Sequence, residues 1–217
     1  MTNLYLLRVT PLEEERTREH YLPTVSPFRR EKVERFQKDR AKAASLGAGM
    51  LLRWALFRRG IDRDDTVTDS WGRPWAAAAP SLYLSLSHSG EYAVCALGDE
   101  PLGVDVQQIG PLRPGVLKRF YSEKEREMVA DAPEKEREFS RIWARKESYV
   151  KALGRGLSMP LDSFEICHRQ GRVAGDDAWK LKSWALPGHE LAFCGIEPPE
   201  KVERMEWDEY ESICRVL

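Results

Sequence analysis

Apolar and polar positions along the chain fall into runs that predict a mixed helix and strand protein. The opening Met1-Thr2-Asn3-Leu4-Tyr5-Leu6-Leu7-Arg8-Val9 reads as a first strand. From about Phe36 to Arg59 the spacing becomes helical, with Ala41, Ala44, Ala48, Leu51, Leu52 and Ala55 forming one apolar face. Gly60 is a natural stop for that helix. The turn-rich Asp69-Ser70-Trp71-Gly72-Arg73-Pro74 follows. Leu82, Leu84 and Leu86 then alternate with Tyr83 and Ser85 ahead of a second apolar run, Ala93 to Leu97. With Ser89-Gly90 between them, the two runs predict a hairpin. In Gly103–Ile109, Val104 and Val106 alternate with Asp105 and Gln107, a strand that buries valines on one face and turns oxygen-bearing side chains to the other. Ser122-Glu123-Lys124-Glu125 is a capping-box signature for a helix. A second long helix spans roughly Glu136 to Leu153, and closing strands are expected near residues 163–167, 180–185 and 191–195.

The order of elements repeats loosely, which predicts an α+β fold of two similar lobes, residues 1–102 and 103–217. A ligand cleft is expected at the seam near Glu100–Gly103, because pockets favour domain interfaces. A hydrophobic content of 42% and seven tryptophans support a packed core and exclude a disordered chain. A formal net charge of −1 provides no global field for a nucleic acid or a membrane surface. Cys95, Cys167, Cys194 and Cys214 show no metal-ligand or paired spacing and read as reduced thiols. No apolar stretch approaches membrane-spanning length, and the start is too short and too soon charged for a signal peptide. The expected setting is a reducing cytosol.

Candidate chemistry concentrates in Trp143-Ala144-Arg145-Lys146-Glu147-Ser148-Tyr149-Val150-Lys151-Ala152-Leu153-Gly154. On a helix, Glu147 and Lys151 share one face, with Trp143 and Lys146 flanking them. Alone, that spacing describes an ordinary surface ion pair. Asp105 changes the weight of the argument: a carboxylate near the end of a short apolar strand, facing another on a helix, can cage a hard divalent cation. Mg²⁺ commonly takes one or two protein carboxylates and completes its octahedron with water and phosphate oxygens. Taken alone, Asp105 also suits a turn or helix cap. Ser87 and His88 stand at the end of the hairpin's first strand, able to offer a hydroxyl and an imidazole N–H to an anion. No Gly-x-Ser-x-Gly elbow marks these serines as nucleophiles.

Taken together and in order, Ser87-His88-Ser89, Gly103-Val104-Asp105-Val106-Gln107 and Trp143 to Lys151 resemble the marks of the 4′-phosphopantetheinyl transferases of the longer, surfactin-synthetase-activating type. Those marks are a Ser-His-Ser element, a Gly-(Ile/Val)-Asp-x-Glu strand and a Trp/Phe-x-x-Lys-Glu-(Ser/Ala)-x-x-Lys helix. The trailing Gly154-Arg155-Gly156-Leu157 is similar as well, and the resemblance runs from the basic segment near Arg29 to about residue 197. It implies a two-lobed α+β fold with pseudo-two-fold symmetry. It also implies an enzyme of the holo-acyl-carrier-protein synthase type that moves the phosphopantetheine arm of coenzyme A to a serine of an apo acyl or peptidyl carrier protein. Adenosine 3′,5′-bisphosphate would leave, and Mg²⁺ would be the cofactor.

By the same resemblance Asp105, Glu147 and Lys151 are the catalytic residues. Asp105 and Glu147 hold the metal, with Gln107 where many relatives carry another carboxylate. Glu147, or a water on the metal, takes the serine proton, and Lys151 meets the pyrophosphate. Coenzyme A falls to Lys32, Arg40, Arg73, Ser87, His88, Lys146 and Lys151, with Lys38 or Arg29 as alternatives in the basic segment. Phe120-Tyr121-Ser122 and the helix after it either line a carrier-protein dock or belong to the core. The alternative function is a decayed, non-catalytic coenzyme A or carrier-protein binding module, with Gln107 as its first lost ligand. A different Mg²⁺-dependent phosphotransferase lacks support, because the chain has neither a P-loop nor kinase motifs. The chain is expected to act as a monomer, without nucleic-acid or membrane partners.

Overall fold

The computed structural model describes residues 1–62, 65–69, 74–154, 159–167 and 171–214. They form an α+β protein of two compact units: Met1–Asp99 together with the segment from Pro199 onward, and Glu100–Pro198. No helix among the described residues is long and apolar enough to cross a membrane.

The first unit begins with β1 (Asn3–Arg8), α1 (Glu15–Tyr21), α2 (Pro27–Glu34) and α3 (Asp39–Phe57). A short ladder of β2 (Thr66–Thr68) and β3 (Pro74–Ala76) leads to the expected hairpin of β4 (Tyr83–Ser89) and β5 (Tyr92–Gly98). β5 pairs antiparallel with both β4 and β1. α3 differs from its expected form. Its middle, residues 43–52, is buried on every side rather than along one face, and Ala41 is only half-buried. The reason is that it packs against β1, β4 and β5 and also against α1, α2 and the 3-10 turn Thr10–Glu13. A helix covered all round needs small and apolar residues all round. Arg18 closes the polar account there: its buried guanidinium binds Leu12 O, Glu13 O and, at 2.7 Å, Asp39 at the start of α3.

The second unit runs through β6 (Leu102–Gln108), α4 (Pro114–Phe120), α5 (Glu123–Asp131) and α6 (Lys135–Leu153). It closes with β7 (Ile166–Cys167), β8 (Arg172–Val173), β9 (Asp176–Leu186) and β10 (His189–Gly195). The strands make one antiparallel sheet in the order β6-β10-β9-β8-β7. The capping box of α5 is complete, with Glu125 N donating to Ser122 Oγ at 3.2 Å and Ser122 N to Glu125 Oε2 at 2.8 Å. α6 crosses β6, β10 and β9. Over β6 it comes so close that a Cβ on Gly103 would lie 2.0 Å from Ser148 O and 2.5 Å from Ala152 N.

The last part of the chain corrects the expected division at residue 103. β11 (Glu203–Arg204) pairs parallel with β1, and α7 (Trp207–Cys214) follows it. Met205, Tyr210 and Ile213 complete the core of the first unit, and Thr24 Oγ1 meets the Tyr210 hydroxyl at 2.8 Å. Burying these side chains outweighs chain proximity, so residues after Pro198 leave the unit that precedes them.

Gly103→Ala is expected to destabilise the protein by about 2 kcal/mol or more, because the added methyl group meets helix backbone that has no rotamer to yield. Urea unfolding checks this, and a midpoint equal to that of the parent protein would contradict the close approach.

Candidate active site

β6 places Gly103, Asp105 and Gln107 on one face, since alternate residues of a strand point the same way. α6 covers that face. Val104 and Val106 fill the opposite side and are fully buried. The strand therefore does what its alternation predicts, except that its polar face is roofed by a helix. The missing side chain at Gly103 lets the last turns of α6 settle directly on the strand. Lys151 is thereby brought to Asp105: its ammonium donates to Asp105 Oδ1 at 2.7 Å and to Val104 O at 3.0 Å. The contact of Lys151 is thus with the strand rather than the ordinary helix-surface pair with Glu147.

Glu147 lies one turn before Lys151 and is half-buried. Burial pushes its carboxyl above the usual carboxylate range; the negative charge of Asp105 adds to the rise, and Lys151 opposes it. Gln107 is half-exposed, and its amide nitrogen donates to Gln108 O at 3.3 Å, which leaves the amide oxygen to face a ligand. Among the described residues there is no group of three or more His, Cys, Asp or Glu side chains able to hold a metal. Asp105 and Glu147, together with an amide oxygen, nonetheless make a hard-oxygen donor set of the kind Mg²⁺ takes. The residues present fit that ion, provided water and phosphate oxygens complete its shell.

Lys146 requires a correction. Adjacent helical residues point about 100° apart, and Lys146 faces away from Glu147, into the protein. Its ammonium meets Glu125 Oε2, Leu161 O and Phe164 O, each at 2.8 Å, and sits 4.4 Å from the centre of the Phe164 ring. Both partners of the ion pair are 0% exposed. All three ammonium protons are used, so none is available to coenzyme A. Burial pulls the Lys146 pKa down, and Glu125 works against that pull. Glu125 is the residue that closes the cap of α5, and its other oxygen accepts from Ile166 N at 2.9 Å. One buried carboxylate thus joins α5, α6 and the start of β7.

Three arginines that motif reading passed over hold the rest of α6 to the sheet. Arg137 and Arg141 bind the two oxygens of the fully buried Glu190 on β10 at 2.9 and 3.1 Å. Arg145 donates to Ser183 Oγ on β9 at 2.8 Å. Ser183 pairs with Ala192, which pairs with Asp105, so this anchor lies in the same row of the sheet as Asp105. Their spacing, three arginines four apart on one helix, was the available signal.

Trp143 lines a pocket of about 190 Å³ beside Gln107, together with Gln108, Arg113, Val116 and Phe139. Its ring stacks near Tyr121 and meets Phe120 edge-on at 5.8 Å. Tyr121 is core: it is 1% exposed and donates to Phe139 O at 2.8 Å. Phe120 is half-buried.

The remaining candidates lie in the first unit. Ser87 and His88 occupy the end of β4 but point to opposite faces, His88 to that of Leu84 and Leu86, which pack against the unit's core. Lys32 is exposed on α2, and its pKa is lowered first by the surrounding protein and then by Arg29, whose own side chain is buried. Arg40 is exposed at the start of α3. Arg73 lies outside the described residues.

Comparison with known proteins identifies relatives of the chain. The sequence pattern of the 4′-phosphopantetheinyl transferase superfamily matches residues 101–194, which span β6 through β10. The chain is 30% identical over 213 residues to 4′-phosphopantetheinyl transferase Sfp of Bacillus subtilis (strain 168), covering 92% of this chain and 95% of the relative. A second 4′-phosphopantetheinyl transferase of Bacillus subtilis is 34% identical, with 88% and 91% covered. The L-aminoadipate-semialdehyde dehydrogenase-phosphopantetheinyl transferase of Mus musculus is 29% identical, over 66% of this chain and 52% of that one.

Lys146→Met strands the Glu125 charge in the interior and is expected to cost about 3–5 kcal/mol; adding Glu125→Gln should return much of that. Chemical denaturation of the single and double variants checks the pair. Glu147→Gln should act in the opposite direction. A carboxyl whose folded pKa is raised stabilises the fold only below its unfolded pKa, and that contribution is lost as pH rises through the folded pKa. Removing the charge should therefore raise Tm at pH 7, and the gain should shrink as pH falls through the carboxylate range. Calorimetry over that range reads it directly, and an unchanged Tm at pH 7 would contradict the burial of this charge.

Proposed function

The chain belongs to the 4′-phosphopantetheinyl transferase superfamily, and from that premise we propose that it transfers the 4′-phosphopantetheine arm of coenzyme A to a serine of an apo acyl or peptidyl carrier protein. Adenosine 3′,5′-bisphosphate is the other product, and Mg²⁺ is the cofactor. The observation that carries this reading is the meeting of Asp105, Glu147 and Lys151 on one face of the α6–β6 contact.

In this reading the serine Oγ attacks the β-phosphorus of the pyrophosphate. The new Oγ–P bond replaces the bond from that phosphorus to the bridging oxygen, and the electron pair leaves with the bisphosphate. Glu147 accepts the serine proton. Lys151 neutralises charge on the pyrophosphate and on the departing phosphate. Asp105 and Glu147 hold Mg²⁺, with Gln107 or a water as a further ligand; the bound ion would draw negative charge off the phosphate oxygens.

Lys32, Arg40, Ser87 and His88, with Arg73 beyond the described residues, are proposed for the 3′-phosphate and the adenosine end, where arginine can bond two phosphate oxygens at once. Lys146 is left out because its burial supports a structural role. The half-buried Phe120 and exposed Lys118 and Arg119 on α4 suit an acidic carrier protein. None of the four cysteines is in a disulfide, which is compatible with a reducing cytosol, and one copy of the chain supplies all the residues named. Intact Asp105, Glu147 and Lys151 argue against the decayed binding module, although Gln107 keeps that reading in view.

Intact-protein mass spectrometry of an apo carrier protein, incubated with this protein, coenzyme A and Mg²⁺, should show a gain of one phosphopantetheinyl unit. Glu147→Ala should abolish it. Coenzyme A binding without any transfer to several unrelated carriers would favour the decayed module instead.

A further inference from the structure

The ammonium of Lys151 occupies the place beside Asp105 that a metal ion would need. It lies 2.7 Å from Asp105 Oδ1, on a carboxylate whose side chain is only 8% exposed, so there is little room for a second cation on that oxygen. The carbonyl of Val104, 3.0 Å away, holds the amine in this position from the strand side. Lys151 itself is 28% exposed and ends a flexible four-carbon stem, so it can swing away while its Cβ stays against Gly103. We infer that Lys151 is a placeholder cation for Asp105, displaced when a divalent ion and a diphosphate enter together, so that the two ligands bind cooperatively.

The argument is one of charge accounting. A divalent ion arriving alone gains Asp105 and Glu147 but must break the Lys151–Asp105 pair and leave the ammonium with no replacement partner. A diphosphate arriving alone meets two carboxylates. Arriving together, the ion takes the carboxylates and the diphosphate takes the released ammonium, and every charge is met. Each ligand then tightens the other by the same factor, because coupling between two binding equilibria is reciprocal. This inference rests on the proposed function for the identity of the two ligands, but the competition between Lys151 and a metal ion does not require that transfer occur.

Mn²⁺, followed by electron paramagnetic resonance of the free aquo ion, is the probe. Measured on the full chain without coenzyme A, Lys151→Met should bind Mn²⁺ about fivefold more tightly than the parent protein, the scale of one partly buried ion pair. Lys151→Arg, which restores a cation able to reach Asp105, should return the affinity towards the parent value. Lys135→Gln removes an exposed charge from the same helix and should leave it nearly unchanged; an equal rise there would reduce the effect to general electrostatics and overturn the inference. In the parent protein, coenzyme A should tighten Mn²⁺ binding about tenfold, and Mn²⁺ should tighten coenzyme A equally. In Lys151→Met that enhancement should shrink to the part that phosphate oxygens on the ion supply. If Lys151→Met binds Mn²⁺ no more tightly than the parent, or not at all, the placeholder role is wrong. A chain that shows the fivefold rise but never modifies a carrier protein keeps the competition and loses the proposed activity. An active transferase with flat Mn²⁺ affinities does the reverse.

Discussion

The candidate site depends on helix backbone lying against strand backbone at Gly103. With Ser148 O and Ala152 N where a Cβ would be, no side chain separates α6 from β6. That contact sets the distance at which a lysine of the helix can reach a carboxylate and a carbonyl of the strand at once. A thicker layer between the two elements would stretch the Asp105–Lys151 contact, because one residue is fixed to a strand and the other is rooted at the contact itself.

Distance alone does not aim a helix; its rotation also has to be held. Lys146 and Glu125 supply that constraint from the opposite flank, in a pair sealed from water and saturated with hydrogen bonds. A buried pair of this kind adds little net stability over an apolar substitute, but it tolerates few other orientations. On the remaining flank Arg137, Arg141 and Arg145 tie the helix to β10 and β9. Neighbouring residues of one helix therefore divide the work, Lys146 locking the rotation that presents Glu147.

Much of this was legible in the sequence where a pattern had length. β1, the β4–β5 hairpin, β6 and the two long helices follow from alternation or helical spacing sustained over many residues. α1, α2 and α4 span only seven or eight residues, too few for periodicity to declare itself, and β11 is two residues placed by their partner β1. Motif order brought Asp105 and Glu147 forward, but a motif has no faces. It gave both Lys146 and Lys151 to coenzyme A, where tertiary packing buries the first and leaves the second partly exposed. Helix spacing also could not show that Lys151 meets Asp105, because the strand is remote in sequence. Gly103 was read only as part of a strand motif, since its importance lies in what another element places above it.

The return of the chain end to the first unit bears on how the protein is made. On the ribosome, β1 emerges well before the strand that covers its outer edge, with the whole second unit between them. Until then the core that awaits Met205, Tyr210 and Ile213 stays open, and an unpaired strand edge faces a crowded solution. The later unit, by contrast, is contiguous in sequence and has all its strands before β11 emerges. The usual order, in which the amino-terminal part folds first, is thus inverted. A chain released before its final turns would carry a complete second unit on an unfinished first one, and that intermediate is where a chaperone or a protease would find it.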